Sequence, residues 1–175
     1  MKSDIAVIKT VLITTPDRWI ALVHSLPEEL LNLPPAPGEW SAVECLQHII
    51  DVEQVFQFRL RAFLDGLESF PSFDPDAEGS QLRSTPSARD LAAEFAGLRE
   101  ASLQSIQKIK PGDLDRQALH AELGQVTLRE MLNEWPAHDL NHTVQAERAL
   151  MQPFIQGCGP WQQYFLDHFV RQDGG

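Results

Sequence analysis

Between Trp40 and Gly66 the chain reads WSAVECLQHIIDVEQVFQFRLRAFLDG, and its apolar residues Cys45, Ile49, Val52, Phe56, Leu60 and Phe63 recur at intervals of three and four. That spacing draws one buried stripe along an α-helix of about 25 residues. The ends carry their own signals. Ser41 and Glu44 make the S-x-x-E capping pattern, Trp40 is placed to staple back onto Cys45, and Gly66 supplies a stop. A helix of that length with an apolar stripe has to be covered by other elements, and the rest of the chain offers more helices.

The first periodic segment spans about Asp4 to His24, with Pro16 a candidate internal start after Thr15. SLPEELL follows as a short helical turn with Ser25 as its cap. NLPPAPGE cannot continue it, because its prolines lack donors and fix φ. Residues 67–84 form a long loop rich in Pro, Asp, Ser and Gly, a length that marks a functional or mobile segment. Thr85 then caps a third helix, with Pro86 at its first position, that runs to about Ile109 and ends at KPGD. ALHAELGQVT is short and mixed, a turn or a brief extended hairpin. Thr127 and Glu130 repeat the capping pattern ahead of a fourth long helix, which runs to about Met151 and stops before Pro153. GPWQQYFLDHFV reads as a short C-terminal helix packing its aromatics back on the body. Four long amphipathic helices without a strand series predict an all-α four-helix bundle, with residues 1–175 as a single domain. The long loop after the second long helix permits a crossover connection.

Charge narrows the function classes. Acidic residues number 25 against 14 basic ones, the net charge is −11 and the pI is near 4.8. Nucleic-acid binders need a positive footprint to displace counterions, so nucleic acid and anionic membrane surfaces are not the expected partners. A small-molecule substrate is. No run approaches the roughly 18 apolar residues of a membrane span, and the N-terminal MKSDIAVIKT lacks the pattern of a signal peptide. Cys45 and Cys158 could pair, but one bridge is no disulfide framework. A reduced, cytoplasmic setting is the expectation.

The chemistry lies in the histidines. On the fourth helix the inward stripe runs Leu128, Met131, Trp135, His138, His142, Ala146, Ala149. Four residues advance a helix by about 6 Å and slightly more than one turn. His138 and His142 can therefore face one ion, as in H-x-x-x-H half-sites, or be core histidines bonded to neighbours. His48 lies two turns into the second long helix, beside the buried stripe. If the second and fourth helices run parallel, the three rings meet at one height and make a facial N₃ set with two or three open positions. Three buried imidazoles without a partner would leave polar nitrogens unsatisfied.

PGEWSAVECLQHIIDVE, TLREMLNEWPAHDLNHTVQ and GPWQQYF together resemble the DinB-like family, also called YfiT-like or DinB_2, over nearly the whole chain. The resemblance implies a four-helix bundle of up-down-down-up topology with short extra helical turns. It also implies a divalent metal held by one histidine of the second helix and two of the fourth, roles that fall here on His48, His138 and His142. Some relatives use such a site with a low-molecular-weight thiol cosubstrate. The implied activity is thus a metal-dependent thiol S-transferase acting on small electrophiles in detoxification or stress response. Hydrolysis of a small substrate would use the same parts with water, and a stress-associated metal- or ligand-binding protein without turnover is the alternative of another class. A homodimer is implied as well. Zn, Ni or Mn are the candidate ions. The Irving–Williams order favours Ni, Cu or Zn at an N₃ site, with cellular supply deciding occupancy.

Other residues have smaller claims. Glu134, one turn before His138, is the candidate general base. Glu44 has a sufficient role as a cap. Asp51 and Asp139 are placed either to orient an imidazole or to pair with solvent or arginine. His24, His120 and His168 lack metal spacing and read as surface or boundary residues. Trp40, Trp135 and Trp161 read as packing anchors, Trp135 with the option of lining the pocket. Cys45 reads as a small buried hydrophobe. Pro136 frees the carbonyl of Leu132, which either kinks the helix ahead of the ligands or is tolerated.

Overall fold

Three of the four long helices start on the same reciprocal cap. The computed structural model describes residues 5–72 and 87–170. Its helices are α1 (Ile5–Ser25), the short α2 (Glu28–Leu31), α3 (Ala42–Asp65), α4 (Ala88–Ile106) and α5 (Leu128–Gly157). Ser41 with Glu44, Ser87 with Asp90, and Thr127 with Glu130 each close a capping box at α3, α4 and α5. α3 ends as expected on Gly66, in the left-handed conformation at φ 75°.

Several expected boundaries move. Ser25 does not cap α2; it ends α1, and α2 follows Pro27 without a side-chain cap. Thr85 and Pro86 lie outside the described residues, and the described cap of α4 is Ser87. α4 stops at Ile106, short of Ile109, because the amides of Lys108 and Ile109 reach back three residues rather than four and tighten the chain into turns. α5 passes through Pro153 to Gly157. A proline removes one helical donor, and alongside it the Gln152 amide binds the Arg148 carbonyl at 2.8 Å. The same helix runs unbroken through Pro136.

The segment ALHAELGQVT forms the hairpin. β2 (Gln117–His120) pairs antiparallel with β3 (Gly124–Thr127), and a two-residue strand β1 (Ser69–Phe70) adds to β2 in parallel. Gly124 takes the φ of 77° that closes the tight loop. β3 runs straight into the Thr127 cap, so the hairpin fixes where α5 begins.

Contacts along the helices give the topology. Leu12 faces Arg99, so α1 and α4 run antiparallel, with Ile8 sharing a core cluster with Ile106 and Val23 one with Ala88. Glu53 meets Arg99 and Gln57 meets Ser102, so α3 and α4 run parallel. His48 faces His138 while Arg59 faces Glu134, so α3 and α5 run antiparallel. α1 and α5 run parallel, Leu12 clustering with Trp135 and Trp19 with Ala146. The order is up-down-down-up. The parallel pairing of the two histidine-bearing helices is therefore corrected: the rings converge because His142, in mid-α5, lies opposite the start of α3.

At the centre is a buried ionic cluster built by all four long helices. The Arg99 guanidinium donates to both Glu53 oxygens at 3.0 and 2.7 Å, to both Asp139 oxygens at 2.6 and 3.1 Å, and to the Leu12 carbonyl at 3.1 Å. Trp135 Nε1 and Ser102 Oγ donate to Glu53 at 2.9 and 2.6 Å. Burial pulls Arg99 down, but Asp139 and Glu53 outweigh it and hold its pKa above the ordinary value.

The C-terminal aromatics do not pack back as expected. After α5 a 3-10 segment, Gly159–Tyr164, leaves Trp161 65% and Tyr164 73% exposed. The tail is tied down by backbone instead: the His168 carbonyl accepts from Arg148 and Gln152, and Val170 N–H donates to Gln152.

Arg99→Leu would strand two carboxylates in the core. Breaking one partner of such a cluster costs about 3–5 kcal/mol, so the urea midpoint should fall steeply; a loss below about 1 kcal/mol would mean the cluster does not hold the helices.

Candidate metal centre

His48 stands in the second turn of α3; His138 and His142 stand one turn apart in the middle of α5. Their ring nitrogens gather: one ligand atom from each lies within 4.8 Å of the others. His48 Nε2 and His138 Nε2 are 3.1 Å apart, and the ring centroids of the three residues are 4.4 to 5.1 Å apart. His142 Nδ1 is 2.8 Å from Gln145 Oε1. An amide oxygen only accepts, so Nδ1 carries the proton and Nε2 keeps its lone pair. Such a set can hold a divalent ion on three neutral nitrogens.

The electrostatics favour the neutral rings. Burial, with His142 nearby, lowers His48 to about 4. Burial and the neighbouring imidazoles, followed by Arg99 and Arg59, lower His138 to about 3. Burial lowers His142 too, against the Gln145 hydrogen bond. Imidazoles that refuse protons at neutral pH leave their lone pairs available to a metal.

Aromatic rings form the surroundings. Trp40, delivered by the loop before the α3 cap, lies over His48 at 4.8 Å and His142 at 5.8 Å between ring centroids. It is therefore a wall of the site as well as a packing residue. Phe56 meets His138 edge-on at 5.8 Å and stacks on Trp135 at 4.8 Å. Trp135 itself is fully buried, in the ionic cluster.

The other candidates separate. Glu44 accepts from Ser41 N and Oγ at 2.7 Å, so its carboxylate is committed to the cap. Asp51 accepts from Gln47 at 3.3 Å. Asp139 pairs with Arg99 in the core, and its backbone position beside His138 serves the scaffold rather than the ring. Glu134 is not drawn into the triad; half exposed, it lies 3.9 Å from Arg59. Cys45 is fully buried, with burial and Glu44 pushing its thiol up to about 12, and both cysteines are free. His24 and His168 are exposed, but His120 is buried rather than at the surface or boundary expected of it. Gln145, Glu53 and Arg99 carried no readable signal: each is a polar residue whose partner is distant in the sequence or one turn away on a helix.

Comparison with known proteins gives the family and the fold. A family model described as the DinB superfamily matches residues 12–146, and the chain belongs to that family. Among solved structures, one described as "YfiT from Bacillus subtilis is a probable metal-dependent hydrolase with an unusual four-helix bundle topology" superposes with a TM-score of 0.70. The two are 18% identical, over 83% of this chain and 84% of that one. At that identity the likeness establishes a shared fold. No curated protein matches. Among the described residues no helix is long and apolar enough to cross a membrane.

The pH sign follows from the lowered pKa values. The unfolded chain takes up protons on these histidines near the ordinary 6.5, whereas folded His48 and His138 resist until about 4 and 3. Their contribution to stability is complete above pH 6.5 and drains as pH falls toward 4 for His48 and toward 3 for His138. In chelator, the melting temperature of the native chain should drop faster over that window than that of His138→Gln; parallel curves would show that the ring is not buried as described.

Proposed function

We propose that the chain is a divalent-metal enzyme whose ion sits on His48, His138 and His142, and that it transfers a low-molecular-weight thiol to small electrophiles. One observation carries the proposal: three imidazoles from two antiparallel helices bring their nitrogens within 4.8 Å of one another. A divalent ion held by three neutral ligands would keep its full charge, acidify a coordinated thiol or water, and polarise a carbonyl in its open positions.

The chain's own residues fit that use. Gln145 fixes the ring orientation of His142, and the cluster around Arg99 fixes the helices that carry all three rings. Trp40 and Phe56 restrict water on two sides. No carboxylate joins the converging group among the described residues. A thiol suits such a site, since its proton is lost more readily than that of water and can pass to solvent, leaving sulfur to form the new bond as the leaving group departs. Glu134, one turn before His138 on α5, is the candidate proton acceptor.

Hydrolysis of a small substrate is the second reading, favoured by the description of the Bacillus subtilis structure. A binding role without turnover uses the same ligands. Zn, Ni and Mn are the candidate ions. A cytoplasmic setting fits two free cysteines, and a homodimer fits the apolar side chains left exposed along one side of α5 and beyond it, among them Val144, Phe154 and Trp161.

Protein purified without a histidine tag should contain close to one equivalent of a divalent metal by elemental analysis. Metal-dependent conjugation of a cellular thiol to a chlorinated aromatic acceptor should fall at least 100-fold in His142→Ala. Ester or amide hydrolysis with no conjugation would favour the second reading, and metal without turnover over a broad substrate panel would favour the binding role.

A further inference from the structure

A cavity of about 360 Å³, mainly apolar in its lining, opens between α3, the hairpin and the first turns of α5. Arg59 and His120 form its polar wall, Phe70, Leu123 and Met131 its apolar one, and Glu134 stands at its edge.

The polar wall has too many donors. Arg59 is 7% exposed, and its Nε is buried with no partner. Its nearest carboxylate is Glu134, at 3.9 Å, beyond hydrogen-bond range. Its close polar contact is Nη2 to His120 Nε2 at 3.0 Å. His120 Nδ1, however, accepts from the backbone N–H groups of Glu122 and Leu123 at 3.1 and 3.2 Å. A neutral imidazole that accepts at Nδ1 carries its proton on Nε2. Two donors therefore face each other across 3.0 Å, and no acceptor oxygen serves this guanidinium among the described residues. Buried donors without an acceptor are rare and costly. A planar anion supplies what is absent, because each carboxylate oxygen can accept from a guanidinium edge and from a ring N–H.

From this geometry we infer that the cavity is a binding site for a small organic carboxylate with an apolar body. Its acid group takes the N–H groups of Arg59 and His120, and its body lies against Phe70, Leu123 and Met131. The other carboxylate of the wall, Glu130, is occupied in capping Thr127 at 2.7 Å. Glu134 opposes the anion and lowers its affinity. Arg59 lies eleven residues beyond His48, about 16 Å along α3, so this site is separate from the histidines and does not rest on the metal-enzyme reading.

Isothermal titration of the full chain with benzoate tests it, with benzyl alcohol and inorganic phosphate as companion probes. Benzoate should bind one site, at least tenfold tighter than either companion. Arg59→Gln should weaken benzoate at least tenfold, and Glu134→Gln should tighten it several-fold by removing the opposing charge. His142→Ala should leave benzoate binding intact, which separates this site from the metal centre. Equal binding of benzyl alcohol or phosphate, or benzoate affinity unchanged in both Arg59→Gln and Glu134→Gln, overturns the inference. Should Arg59→Gln fail to fold, the Glu134→Gln result decides alone.

Discussion

A single buried guanidinium sets the frame of this protein. Arg99, on α4, holds a carboxylate from α3 and another from α5, together with a carbonyl from α1. Each hydrogen bond is directional, so the cluster fixes the depth at which the helices pack as well as their neighbours. Glu53 and His48 lie on one helix and Asp139 and His138 are adjacent on another, so fixing the ion pairs fixes the height at which the imidazoles meet. Apolar packing alone tolerates sliding by part of a turn; a fork gripping two carboxylates does not. Buried ion pairs return little net stability, and the register they impose is the better reason for this one.

The same burial that makes the core prepares the triad. Three imidazoles under aromatic rings lose hydration, which holds them neutral, and neutral nitrogens converging on a point satisfy one another poorly. His48 and His138 face each other through the same ring atom at 3.1 Å, an arrangement that at most one shared proton can relieve. A cation relieves all three at once. The DinB superfamily assignment and the shared fold leave the nucleophile open.

Local features were legible from the sequence and long-range ones were not. The stripe from Cys45 to Phe63, the box at Thr127 and Glu130 and the Gly66 stop depend on near neighbours, and they lie where the residues indicated; at 118–127 a turn and a hairpin were both open, and the chain forms the hairpin. The convergence of His48, His138 and His142 was legible through helical spacing combined with family resemblance. The relative direction of their helices was misjudged because a capped N-terminus says nothing about which end of a partner it meets. α5 outran its expected end: Pro153 removes one donor, yet the helix continues to Gly157 and buries Ile155 beyond it. The partners of Asp139, and the buried setting of His120, follow from contacts across 40 and 61 residues of chain, which no local pattern encodes.

X-ray absorption at the metal edge, on untagged protein, addresses the central claim most directly. The account predicts imidazole scattering from three nitrogen ligands, near about 2.0–2.1 Å if the ion is zinc, reduced to two in His48→Ala. A first shell containing thiolate sulfur, or one unchanged by loss of His48, would contradict it.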